Sequence, residues 1–278
     1  MSMKRSIEDT SIVMVGAGRL ATNLAKAFYR KGFRIMQVYS RTEAAALELA
    51  QQVEAEAVTS FAALHSRAGM YVVSLPDDVF PRLIPLLTEN RESSLWVHTA
   101  GSVGMDVWEG HVSKYGVFYP MQTFSKECEV DFTHLPVFIE GCDAECADFL
   151  RAVASALSHD VYLASSEQRR YLHLAAVLAC NFSNYLYTLA SDLLSNHGLP
   201  FSALLPLIDE TARKVHAMTP EDAQTGPAAR GDAMVMEEHL RLLADIPNLQ
   251  DLYRRMSEGI SRRQAAKTEN LKAGQPED

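Results

Sequence analysis

Short apolar, β-branched runs alternate with longer amphipathic stretches between Ser11 and about Leu163, the rhythm of a parallel sheet covered by helices. The runs fall at Ser11–Val15, Arg34–Tyr39, Met70–Leu75, Leu95–Thr99, Val117–Tyr119, Pro136–Glu140 and Asp160–Leu163. They predict a doubly wound α/β domain over residues 1–164. After Ala164 the strand-like runs stop and a helical period takes over. Ser165, followed three residues later by Gln168, forms a capping-box signature that opens a long helix reaching about Asn196, where Gly198 and Pro200 stop it. Further helices are expected from about Ser202 to Met218, briefly from Thr219 and Pro220, from Asp232 to about Asp245, and from about Asn248, with a frayed tail beyond Lys267. Pro206 removes a backbone N–H from the first of these, so that helix should kink or start late. Residues 165–278 thus read as an all-α second domain.

Two domains suit a chain of 278 residues, because domains commonly run about 100–200 residues. Apolar side chains at 47% supply cores for both. The net charge of −9 argues against nucleic acid or an anionic membrane as partner. Met1 to Thr10 carries no apolar export segment, and no run approaches the roughly 18 apolar residues of a membrane span, so a cytoplasmic protein is expected. There the four cysteines, Cys128, Cys142, Cys146 and Cys180, should be reduced thiols. The spacing of Cys142 and Cys146 matches neither a zinc knuckle nor a thioredoxin pair, and no metal is expected.

Chemistry enters at the first strand. Ser11–Val15 runs directly into Gly16-Ala17-Gly18-Arg19-Leu20-Ala21, and an amphipathic helix follows. This is the G-x-G-x-x-A form of the dinucleotide turn in its proper strand-turn-helix setting, which makes the first domain a Rossmann fold. Gly16 permits the tight turn, Gly18 lets the backbone approach a pyrophosphate, and Ala21 allows close packing of helix on strand. At Arg19 and Leu20 the helix start offers free N–H groups and a positive dipole end to the phosphates. The second strand ends in Ser40-Arg41-Thr42, not in the carboxylate that would bind a ribose 2′-hydroxyl. An arginine between two hydroxyls suits a 2′-phosphate, so NADP is favoured over NAD. The competing reading is a solvated arginine with Thr42 capping the next helix. Two later strand ends should complete the cleft. Ser74-Leu75-Pro76 is expected at the adenosine-side ribose or the pyrophosphate, and His98-Thr99-Ala100-Gly101 beside the nicotinamide.

With these residues in place, the chain resembles the 6-phosphogluconate dehydrogenase-like superfamily. Within it, the chain is most similar to NADP oxidoreductases that join a Rossmann-like domain to a C-terminal domain of unknown function. That group is related to pyrroline-5-carboxylate reductase and to deazaflavin-dependent NADP oxidoreductases. The resemblance rests on the turn GAGRLATNLA and the segments YSRT, HTAGS, GVFYPMQTF, HLAAVLACNFSNYLY and AQTGPAARGD. It implies a Rossmann domain followed by a helical one and an NADP cofactor; nothing in the residues demands a deazaflavin.

On the long helix, a uniform 100° per residue lines His173, Cys180 and Asn184 along one stripe, with Asn181 beside Asn184. Asparagines inside an apolar stretch are costly to bury without partners, which makes Asn181 and Asn184 candidates for contact with substrate or cofactor. His173 is the acid–base candidate, since an ordinary imidazole exchanges its proton near neutral pH. Related β-hydroxyacid and ketopantoate-type reductases carry a lysine one turn before the asparagine, where this chain has Val177. If a lysine acts here, Lys214 on the next helix is the candidate. Thr225 and Arg230, in a glycine-bearing loop, could bind a substrate carboxylate or phosphate.

The expectation is an NADP(H)-dependent oxidoreductase moving hydride to or from a small substrate held between the domains. The alternative, favoured by the absent lysine, is a sensor or regulatory protein that binds NADP without catalysis. The long apolar helix needs more cover than its own chain offers, so a homodimer through the helical domain is expected.

Overall fold

The computed structural model describes residues 10–125 and 128–273, with side chains as far as 269. The stretch expected to lack an export signal lies outside these residues apart from Thr10, as do the last five residues of the tail. Among the described residues no helix is long and apolar enough to cross a membrane.

Among the described residues eight strands form one sheet: β1 (Ser11–Val15), β2 (Arg34–Tyr39), β3 (Glu56–Val58), β4 (Met70–Val73), β5 (Leu95–His98), β6 (Lys114–Pro120), β7 (Val137–Gly141) and β8 (Val161–Leu163). Their order is β3-β2-β1-β4-β5-β6-β7-β8, parallel throughout except where β7 runs against β6. The chain therefore starts mid-sheet, winds to one edge, and returns through β4 to the other. The order reverses between β1 and β4, the place where an open α/β sheet binds its ligands.

Helices α1 (Arg19–Arg30), α2 (Glu43–Gln52), α3 (Phe80–Thr88) and α4 (Ala144–Leu157) belong to this part. Ile12 and Met14 point into one core with Leu24, Phe28 and Leu150, while Val13 and Val15 point into another with Tyr71, Trp96 and Trp108. Alternate residues of one strand thus feed two cores, as a doubly covered sheet requires. The short strand β3, with one buried residue in three, carries too little alternation to be read from sequence.

The long helix opens at the expected capping box: Ser165 accepts from the Gln168 N–H, and the Gln168 side chain accepts from the Ser165 N–H. It runs as α5 (Ser166–Ala176), a π-helical segment Val177–Phe182, and α6 (Ser183–Asn196). Beyond it lie α7 (Leu205–Ala217), α8 (Pro227–Arg230), α9 (Ala233–Leu242) and α10 (Pro247–Ala273). Pro206 sits in the first turn of α7, where its missing N–H costs nothing, so the helix starts late instead of kinking. The short helix expected at Thr219 is a turn, closed by the Thr219 hydroxyl accepting from the Asp222 N–H. The final helix continues past Lys267 to Ala273.

By compactness the chain divides into Met1–Asn181 and Phe182–Asp278, with α5 in the first unit. Among the described residues of the second unit, only Ala228 and Leu243 are buried.

Candidate functional site

The glycine turn is built as its spacing requires. Gly16 has φ +124°, and a Cβ there would stand 2.2 Å from the Ser74 carbonyl oxygen, so no side chain fits. Gly18 precedes α1 in extended conformation; a Cβ there would meet no protein atom within 4 Å, and no side chain caps the helix. The turn therefore offers open space over uncapped N–H groups, the cradle a pyrophosphate needs.

That space continues into a cleft of about 190 Å³. Gly16, Ala17 and Gly18 line it on one side, Tyr39, Ser40 and Arg41 on a second, and Ser74, Leu75 and Pro76 on a third, with Val79 and Leu83 from the start of α3. Three stretches singled out in sequence meet here. Arg41 is exposed at the rim. Thr42 occupies the N-cap position of α2 without a side-chain cap, and its N–H donates to Ser40 Oγ at 3.2 Å.

The loop after β5 is organised differently. His98 is fully buried beside Phe80 and Trp108, and its Nδ1 accepts from the Ala100 N–H at 3.2 Å. Burial, helped by the charge of Arg169, pushes its pKa down to about 3. The His98 ring is thus a neutral prop for the loop rather than a proton carrier. Thr99 donates its N–H to Val73 O. The His173 imidazole rests against the buried Gly101 of this loop: a Cβ on Gly101 would fall 2.7 Å from His173 Nδ1.

Around Gly101 stand residues that sequence reasoning left out of the site. The hydroxyl of Tyr119, at the carboxyl end of β6, lies 3.2 Å from His173 Nδ1. Burial raises the Tyr119 pKa, Asp77 raises it further, and Arg169 opposes both. Ser102 donates to the Asp77 carboxylate, linking the loops after β4 and β5. Beneath them Arg169, 1% exposed, joins three segments. Its Nε donates to Ala100 O at 3.2 Å, its Nη2 to Val103 O at 2.5 Å, and its Nη1 pairs with Glu140 at 2.6 Å. The Glu140 carboxylate also accepts from the N–H and hydroxyl of Ser166. A further tie comes from Asn23, which donates to Ser125 O and accepts from the Val130 N–H, holding the chain after the GVFYPMQTF segment to α1.

The remaining candidates are more scattered. The π segment lies between His173 and Asn184, and its extra residue per turn breaks the uniform 100° spacing that placed them on one stripe. Asn181 and Asn184 are exposed rather than buried in the apolar stretch, as is Cys180. Lys214 is half-buried on α7, while Thr225 and Arg230 are exposed around α8. Cys142, Asp143 and Cys146 each bring a donor atom within 4.8 Å of the others. Asp143 is bonded to Lys114 and to the Cys146 N–H, and burial raises the Cys146 thiol pKa.

Residues 1–73 match the family described as shikimate/quinate 5-dehydrogenase, and residues 135–260 match a domain of unknown function, DUF2520. No curated protein matches the chain. Among solved structures, the "putative NADP oxidoreductase" BF3122 from Bacteroides fragilis is 60% identical, with a TM-score of 0.88 over 92% of this chain and 100% of its own. The chain belongs to the family of that NADP oxidoreductase. Protein TM1727 from Thermotoga maritima is similar in fold at 23% identity and a TM-score of 0.69, over 92% of this chain and 99% of its own. So is an imine reductase from Myxococcus stipitatus, solved with NADP⁺, at 18% identity and a TM-score of 0.63, over 95% of each chain.

Within this NADP oxidoreductase family the shape of the cleft is chemically consistent. The cradle at Gly18 and the arginine at the end of β2 are the two features that an NADP pyrophosphate and 2′-phosphate would need. Tyr119 belongs to the GVFYPMQTF segment that carries the resemblance, so a signal for it was present. Arg169 left none, because a buried arginine on a helix reads from sequence as a solvated one.

Proposed function

We propose that this member of an NADP oxidoreductase family passes a hydride between NADP(H) and a small substrate brought against Gly101 and His173. The observation that carries the reading is the convergence of three separate loops, Gly16–Gly18, Tyr39–Arg41 and Ser74–Pro76, on one cleft with an arginine at its rim. NADP(H), when bound, supplies or accepts the hydride. His173, on α5 and packed against the loop after β5, gives or takes the accompanying proton. In the same reading Asn181, on the same long helix, orients the reacting group.

Titration with NADPH and NADH tests the cofactor. Arg41→Ala should raise the Kd for NADPH about tenfold or more, close to 1.4 kcal/mol, and leave NADH binding unchanged. Tighter binding of NADH by the unaltered protein would reverse the assignment. Oxidation of bound NADPH by small oxo acids, imines and aldehydes tests the chemistry, and no turnover across that panel would turn the reading to an NADP-binding sensor.

A second copy of the chain is the partner we assign to the helical part. Phe182, Tyr185, Leu207, Met234 and Leu242 are more than half exposed, and only two described residues of that unit are buried. A surface this apolar is the mark of an association face. Sedimentation at micromolar concentration should give twice the mass of 30.8 kDa; a monomer at that concentration removes the proposal.

A further inference from the structure

The pairing of Tyr119 with His173 specifies more than proximity. Tyr119 sits in the last turn of backbone pairing between β6 and β7, opposite Phe138, and is 8% exposed. Its ring meets the imidazole edge-on, with centroids 6.3 Å apart and planes at 73°. Gly101 lies against the same Nδ1–Cγ edge of the imidazole, where the absence of a Cβ lets the ring approach the loop. The Nδ1 edge of the imidazole therefore meets both a strand and a loop at the carboxyl edge of the sheet.

We propose that Tyr119 is the positioning residue for His173: its hydroxyl occupies Nδ1, so that Nε2 carries a hydrogen and faces the substrate as a donor. This rests on the reading of His173 as the proton-transfer group, and it deepens that reading by naming the atom and the class of group it serves. A phenol hydroxyl both donates and accepts. Toward a neutral imidazole it donates to Nδ1, which leaves the ring hydrogen on Nε2. Toward an imidazolium it accepts from Nδ1–H, and Nε2 again carries a hydrogen. The reverse arrangement in the neutral state would have Nδ1–H donate to the Tyr119 oxygen. That would leave the enclosed phenol proton without an acceptor, since His173 is the one hydrogen-bond partner of the Tyr119 hydroxyl among the described residues. Burial keeps the phenol protonated, and the charged groups nearest to it, Asp77 and Arg169, act in opposite directions.

A fixed Nε2–H selects the substrate's reacting group. It must be an acceptor, a carbonyl oxygen or an unprotonated imine nitrogen, because a protonated iminium would present its own hydrogen to the donor. In the reducing direction the Nε2–H bond of the imidazolium breaks, its electron pair stays on the ring, and the proton joins the heteroatom as that atom gains charge. The neutral ring left behind carries its hydrogen on Nδ1, the disfavoured tautomer, and taking a fresh proton at Nε2 restores the imidazolium for the next turnover.

The test is nitrogen NMR on the full chain labelled with ¹⁵N-histidine, with the His173 signals assigned by their loss in His173→Gln. With the ring neutral, the unaltered protein should show the Nε2–H tautomer at His173. Tyr119→Phe, which keeps the ring and removes the hydroxyl, should shift His173 to a mixture or to Nδ1–H. Gly101→Ala should do the same by displacing the imidazole. An Nδ1–H tautomer in the unaltered protein, or an unchanged tautomer in Tyr119→Phe, would overturn the proposal. With a turned-over substrate, Tyr119→Phe should lower kcat about tenfold or more and leave the KM for NADPH unchanged. Full activity in His173→Gln alongside the expected tautomer would remove the proton-transfer reading while leaving the Tyr119–His173 geometry intact.

Discussion

Gly16→Ala is expected to unfold the first domain and abolish NADPH binding, whereas Gly18→Ala should abolish or cripple binding in a protein that melts normally. At Gly16 two penalties combine. A φ of +124° lies where only glycine is at ease, at a cost of about 1–3 kcal/mol for another residue. The added methyl would also run into the Ser74 carbonyl at 2.2 Å, and that atom belongs to strand-end backbone with no freedom to rotate away. Relief would require separating the turn from the loop after β4, and with it the junction of β1 and β4. At Gly18 neither penalty applies: φ is −77°, and nothing stands within 4 Å of the position. Replacing an N-cap glycine by alanine costs helices about 1 kcal/mol or less. The methyl instead fills the space over the uncapped N–H groups of α1. Its expected signature is a change in Tm of a degree or two and a rise in Kd for NADPH of at least about tenfold. Calorimetry and dye-free thermal melts on the two variants separate these outcomes. Normal melting in Gly16→Ala, or undiminished NADPH affinity in Gly18→Ala, would show that the turn does not hold a pyrophosphate in this way.

Arg169→Met should cost about 3–5 kcal/mol, the usual effect of removing one partner from a buried ion pair. The guanidinium is 1% exposed and Glu140 17%, so the remaining carboxylate would be left in a poorly hydrated place. Two loop carbonyls, Ala100 and Val103, would lose their donors at the same time. For a domain of this size the expected fall in Tm is roughly 10 °C. Arg169→Lys should recover only part of it, since one ammonium cannot reach three acceptors in three directions. Adding Glu140→Gln to Arg169→Met should also recover part, because it removes the orphaned charge. Thermal melts of the four proteins check this. If Arg169→Met melts within two degrees of the parent, the pair contributes little and the loop is held by something else.

Much of this was legible in the sequence because it is written locally. The alternation of Ile12 and Met14 with Val13 and Val15, the glycines at 16 and 18, and the Ser165–Gln168 capping box each depend on neighbours within a few residues. The unread parts depend on residues far apart in the chain. Arg169 meets Ala100 across 69 positions, and Tyr119 meets His173 across 54. No periodicity announces such contacts. The stripe through His173 and Asn184 failed for a different reason: it assumed a uniform helix, and the π segment at Val177–Phe182 inserts its irregularity between the two residues. The stretch after β5 is a loop as expected, while His98, expected with it beside the nicotinamide, is buried against Phe80 and Trp108 through contacts that no local pattern announces.

The buried guanidinium of Arg169 also separates two meanings of a domain border. By residue pattern the first domain stops where strands give way to helix, before Ser165. By energy it does not, because the carbonyls of the loop under His173 and the carboxylate of Glu140 find their donors in the first turn of that helix, at Ser166 and Arg169. A fragment ending before Ser165 would retain every strand and yet expose an unpaired carboxylate and two stranded carbonyls. The smallest autonomous piece of the nucleotide fold is thus longer than its sheet, and α5 serves the first domain as structure before it serves the second as connection.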